Sequence, residues 1–128
     1  MLTLEQIEAI RRLNDAARTN LGVTSIANAT AGFQSLPDGD RFAALAAVVG
    51  FSRFDADNDP YGEHDFGTIY RLAPGRWTQD RPKDSKAITE TVFWKVDYYD
   101  ASLTYGSEAP WNEQQTKRVL TIMLASEY

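Results

Sequence analysis

The residues best equipped for chemistry lie in one short segment, Asp57-Asn58-Asp59-Pro60-Tyr61-Gly62-Glu63-His64-Asp65-Phe66-Gly67, which brings carboxylates together with the only histidine of the chain. Two readings of it stand side by side. In the first, Asp57, Asp59, Glu63, His64 and Asp65 converge on a cation or a substrate, since clustered oxygens suit hard metals and a neutral imidazole suits zinc or iron. In the second, the segment is an elaborate turn: Asn and Asp cap nearby main-chain N–H groups, Pro60 fixes φ, and Gly62 and Gly67 permit positive φ. An EF-hand loop counted from Asp55 fails, because its sixth position is Pro60 where glycine is needed and its twelfth is Phe66 where a bidentate Glu is needed. No HExxH spacing is present, and no metal ligand set or cofactor motif is assigned.

As an enzyme the chain would use His64 as base or ligand, Asp65 as its orienter, and Asp57, Asp59, Asp97 and Asp100 as further carboxylates, with Asp97 the third catalytic candidate. Without a cysteine, a Gly-rich phosphate loop or a GxSxG elbow, hydrolytic and nucleotide chemistry have no specific signal. As a binding module it needs only a shaped, charged surface. Asp55, Asp57, Asp59, Tyr61, Glu63 and His64 would supply it, with exposed Tyr61, Tyr99 and Tyr105 as aromatic anchors. No complete catalytic constellation can be assembled, so the sequence favours a small acidic non-enzymatic binding protein over a metal-dependent or acid–base enzyme built on His64 and Asp65.

Composition fits that choice. With 128 residues and 43% hydrophobic side chains the chain is expected to form one domain, residues 1–128, with its own core. The formal net charge of −5 is uneven: residues 51 to 70 hold five acids against Arg53, whereas Arg71, Arg76, Arg81, Lys83 and Lys86 follow closely. An acidic whole argues against direct nucleic-acid binding and for a basic protein partner, such as one that itself binds nucleic acid. The lack of cysteine, of a signal segment and of a long apolar run leads to the expectation of a cytoplasmic protein without membrane contact.

The elements that must position these residues can be read from periodicity. Thr3 and Gln6 form a capping box ahead of a helix from about Leu4 to Thr19, with Ile7, Ile10, Leu13, Ala17 and Leu21 on one face and Arg11, Arg12 and Arg18 on the solvated one. Val23 to Asn28 reads as a short strand and Ala29 to Asp38 as loop. A second helix should start at caps Asp38 and Asp40, bury Phe42, Leu45, Ala46 and Val49, and stop at Gly50. Phe66 to Leu72 alternates as a strand broken by Pro74-Gly75, and the polar Pro74 to Lys86 stretch reads as a hairpin tip or insertion. Ile88 to Tyr99 is a second strand of the pair, with Val92, Trp94, Val96 and Tyr98 on one face, and Leu103 to Tyr105 a further one. Asn112 with Gln115, followed by Val119, Leu120, Met123 and Leu124, predicts a C-terminal helix. The order α-β-α-β-β-β-α gives an α+β domain, three helices packed on a mainly antiparallel sheet of about four strands.

Three segments, DNDPYGEHDFG at 57–67, WKVDYYD at 94–100 and RVLTIMLASEY at 118–128, together resemble the domain-of-unknown-function family 3768. This is a family of small alphaproteobacterial proteins found in plasmid- and phage-rich genomes. The chain departs from the family's pattern at Glu108-Ala109-Pro110-Trp111-Asn112 and in a longer Pro74 to Lys86 loop. The resemblance carries no activity or ligand set. It implies a mobile-element setting, in which a small acidic binding protein would be an inhibitor or adaptor of antirestriction or anti-CRISPR type acting on a host protein.

Overall fold

A computed structural model describes residues 1–128. One helical layer covers one face of a five-stranded sheet, the α+β arrangement expected from the sequence. In chain order the elements are α1 (Leu4–Thr19), β1 (Ile26–Ala29), the single turn α2 (Ala31–Gln34), α3 (Asp38–Val49), β2 (Phe66–Ala73), β3 (Arg76–Thr78), β4 (Glu90–Tyr99) and β5 (Lys117–Leu124). The strands lie in the order β1-β5-β4-β2-β3, antiparallel throughout except that β1 runs parallel to β5. No helix is long and apolar enough to cross a membrane.

Period-two alternation builds the core. Ile69 of β2, Val92, Trp94 and Val96 of β4, and Leu120 and Ile122 of β5 all point to the helical side, where they meet Phe33 of α2, Ala44 and Val48 of α3, and Phe51. The cross-strand pairs Gly67 with Trp94 and Trp94 with Ile122 set the register. Gly67 has no freedom to be anything larger, since a Cβ there would stand 2.4 Å from Trp94 Nε1 and 2.7 Å from Phe51 Cζ. The opposite face of the sheet carries no helix. There Phe66 and Phe93 pack with ring centroids 5.2 Å apart, and Tyr128 closes on both edge-on.

Several expectations are corrected. The segment after Asn112 forms the strand β5, not a helix. Its β-branched Val119, Thr121 and Ile122 fit a pleated ladder, and it pairs with β4 along its whole length. Leu103 to Tyr105 is a tight bend, not a strand, with Leu103 at φ 59° and Asp100 accepting from the Thr104 N–H and the Ser102 hydroxyl. Only an isolated bridge, Tyr99 to Gly106, links it to the sheet. The Ala29–Asp38 loop contains α2, whose N-cap Thr30 accepts from the Phe33 N–H. The short β3 lies inside the expected insertion and brings the strand count to five.

The second helix has the expected span but a rotated face. Phe42 is 73% exposed while Asp40, Ala44 and Val48 are buried. Asp40 is therefore no cap. It turns inward to accept from the Gly75 N–H at 2.6 Å and from Arg71 Nε and Trp77 Nε1 at 3.1 Å, and these bonds fix the roll of α3 over the β2–β3 hairpin.

Candidate functional site

The segment 55–67 crosses from α3 to β2 and folds around its own side chains. Asp55 Oδ1 accepts from the Asp57 and Asn58 N–H groups at 2.9 and 3.0 Å, while Asn58 spans back from the Asp55 N–H to the Arg53 carbonyl. Asp59 is buried, and its Oδ1 accepts from the His64 N–H at 3.1 Å. Gly62, at φ 70°, hands its carbonyl to Arg11 Nε at 2.7 Å. His64 itself adopts φ 56°, a conformation that costs a side-chain-bearing residue energy and persists only where its surroundings over-determine it.

Those surroundings are visible. The imidazole lies flat on Phe54, centroids 3.7 Å apart and planes 3° from parallel. Its Nδ1 stands 2.9 Å from Asp15 Oδ1 of α1, and its Nε2 stands 3.6 Å from Asp59 Oδ2. Both ring nitrogens thus face carboxylates of the protein, Nδ1 within hydrogen-bond distance of Asp15 and Nε2 at a longer approach to Asp59. Behind Phe54, the buried Arg18 guanidinium lies 5.5 Å from the Phe54 and Trp94 ring centres and 3.4 Å from the same Asp15 oxygen. Arg18 Nε and Nη1 are buried without a hydrogen-bond acceptor, so aromatic faces and Asp15 hold the cation. Burial lowers the Arg18 pKa, with Asp15 opposing. Arg18 is thus a core residue and Arg11 a turn clamp. Of the three arginines expected on the solvated helix face, Arg12 alone is exposed.

A second network anchors the end of the segment. Asn14, fully buried on α1, donates from Nδ2 to the Glu63 carbonyl at 2.9 Å and to the Tyr98 hydroxyl at 2.8 Å. The Tyr98 hydroxyl donates to Glu63 Oε1 at 2.8 Å, and Arg118 Nε donates to Asn14 Oδ1 at 2.6 Å while Nη2 reaches the Pro110 carbonyl. Arg118 lies over the ring of Tyr98, its cross-strand neighbour. Burial, and then the Glu63 carboxylate, push the Tyr98 hydroxyl pKa up, and burial lowers that of Arg118. The turn and the WKVDYYD strand therefore meet, with the Val96 N–H also donating to the Asp65 carbonyl at 2.8 Å.

The candidate residues divide accordingly. Asp59, Glu63 and His64 face inward and fasten the turn. Asp65 is partly buried, and burial, then the charges of Glu63, Asp59 and Asp97, raise its pKa. Asp97 pairs with Lys95 at 2.8 Å on the helix-free face of the sheet, so it does not join His64, and Asp100 caps its own bend. No three His, Asp or Glu side chains are grouped to hold a metal ion. Asp57 remains exposed with no side-chain partner, and Tyr61 is 77% exposed. The network residues that sequence reading missed, Asn14, Asp15 and Arg118, had one signal among them. Asn14 falls on the apolar stripe of the first helix, between Ile10 and Ala17, where a polar residue must find a buried partner.

The chain belongs to the family described as protein of unknown function (DUF3768), whose model matches residues 29–127. No curated protein and no solved structure matches it.

Proposed function

We propose that this is a non-enzymatic binding protein whose fastened 55–67 turn presents Tyr61 and Asp57 to a basic partner protein. One observation carries the reading: the side chains of Asp55, Asn58, Asp59, Glu63 and His64 are hydrogen-bonded within the molecule and Asp65 is partly buried, while Tyr61 and Asp57 are exposed and unpartnered. A rigid aromatic tip lowers the entropic cost of docking, and an adjacent free carboxylate favours encounter with a cationic surface. The chain's net charge of −5 supports a basic partner, of the kind that itself binds nucleic acid, and speaks against direct contact with nucleic acid; the proposed setting for that encounter is the cytoplasm. The plasmid- and phage-rich setting implied by the family resemblance fits an inhibitor or adaptor acting on a host protein, of antirestriction or anti-CRISPR type.

The test is affinity capture from host cells with wild-type, Tyr61→Ala and Asp57→Lys proteins, followed by direct titration of the purified captured partner. A basic protein retained by the wild type and lost by both variants, with affinity falling as salt rises because charges are screened beyond about 10 Å at 0.1 M, is the expected result. Equal capture by all three proteins would refute the reading.

A further inference from the structure

β2 pairs with β3 only from Tyr70 onward, so between Phe66 and Ile69 it has no strand neighbour on that side. Antiparallel pairing with β4 matches Gly67 to Trp94 and Ile69 to Val92. The Val96 N–H bond to the Asp65 carbonyl sets the phase of that ladder, so Gly67 and Ile69 turn their main-chain groups toward β4, while Phe66 and Thr68 turn theirs to the vacant side. Such an edge is a template for another strand.

Beside it lies a cleft of about 460 Å³ between the acidic turn and the chain leaving β3, lined by Asp55, Asp57, Thr68, Tyr70, Gln79 and Arg81 among others. Its lips are tied at one end, where Gln79 Oε1 accepts from the Ser52 and Arg53 N–H groups and Arg53 pairs with Asp80. Tyr70 is 8% exposed, and its hydroxyl has no hydrogen-bond partner within the protein. Arg53 is neutralised by Asp80, and Arg81 sits 5.6 Å from the Tyr70 ring centre without a carboxylate partner. The Asp57 carboxylate at the turn end is free.

We infer that this cleft receives an extended segment of the basic partner, which adds to the free edge of β2 in line with β3 and places a Lys or Arg against Asp57. The inference rests on the proposed reading of a basic protein partner and names how that partner is held. Main-chain bonds to Phe66 and Thr68 supply the pairing, the Tyr70 hydroxyl meets a main-chain polar group, and the turn selects the cationic side chain.

A soluble peptide of alternating Lys and Thr is the probe, followed through the amide NMR signals of the full-length protein. The signals of Phe66, Thr68 and Gln79 should move on titration. The same peptide N-methylated at alternate residues should bind about tenfold more weakly, having lost its main-chain donors. Asp57→Lys should weaken the probe about fivefold, and Arg81→Glu should tighten it by a similar factor. Both positions are exposed, so both variants keep the fold. Absence of movement at Phe66 and Thr68, or equal binding of the N-methylated peptide, overturns strand addition. If the captured partner still depends on Tyr61 and Asp57 in that event, the basic-partner reading stands alone. If the peptide adds at β2 but capture ignores both residues, that reading falls and takes the partner's identity with it.

Discussion

At the scale of single residues, the side chains that look most reactive in the sequence hold the molecule together. His64 sits between two carboxylates and on Phe54, and Glu63 is bound to Tyr98. Replacing Arg118 by Ala would strand Asn14 Oδ1 and the Pro110 carbonyl in a buried site and should cost about 3 kcal/mol, read from urea unfolding. Asp65 makes the opposite prediction. Its folded pKa is raised by burial and by Glu63, so the native state holds that proton more tightly than the unfolded chain does. Above the ordinary carboxylate range, near pH 4 or so, its contribution therefore falls as pH rises through the raised value. Asp65→Asn should raise the melting temperature at neutral pH, with the gain vanishing in acid. Glu127 runs the other way. The Thr30 hydroxyl and the Leu124 N–H hold its pKa down, so its contribution is full at neutral pH and is lost as pH falls through the lowered value. Glu127→Gln should flatten the acid limb of a melting-temperature profile. The candidate residues were legible in the sequence as a cluster, but their inward direction was not. That direction depends on Asp15, Asn14 and Tyr98, far away in the chain.

At the scale of elements, the capping box was legible as a local side-chain pair, and the first helix and β4 were legible because each turns its fully buried residues, Val92, Trp94 and Val96 in β4, to one face, which leaves a clean period. β5 was not, for a physical reason. It is buried on both faces: Leu120 and Ile122 enter the core, while Met123 packs opposite Phe93 on the other side. Apolar residues on both faces blur the period of two and let Val119, Leu120, Met123 and Leu124 imitate a helical stripe. The roll of α3 escaped for a similar reason, because a buried carboxylate, Asp40, sets it. The rotated face is checked by substitution: Val48→Ala should cost about 2 kcal/mol, whereas Phe42→Ser on the exposed side should change stability by less than about 0.5 kcal/mol in the same denaturant titration. Gly67→Ala should cost about 1–3 kcal/mol, because the added methyl drives into Trp94 and Phe51.

At the scale of the whole molecule, residues 1–28 lie outside the family match, yet Asn14, Asp15 and Arg18 of α1 complete both networks that fasten the turn. A chain lacking residues 1–24 should therefore lose cooperative unfolding, although it keeps the whole matched region. The central claim is that fastening and presenting are separate jobs, done by inward and outward residues of one turn. It is tested most directly by titrating the captured partner against Tyr61→Ala and Tyr98→Phe, below the melting temperature of each. Tyr61→Ala should melt with the wild type and lose the partner, while Tyr98→Phe, which leaves Glu63 and Asn14 short of a hydrogen bond, should melt earlier but bind normally while folded. Retained binding by Tyr61→Ala, or lost binding by a folded Tyr98→Phe, would contradict the account.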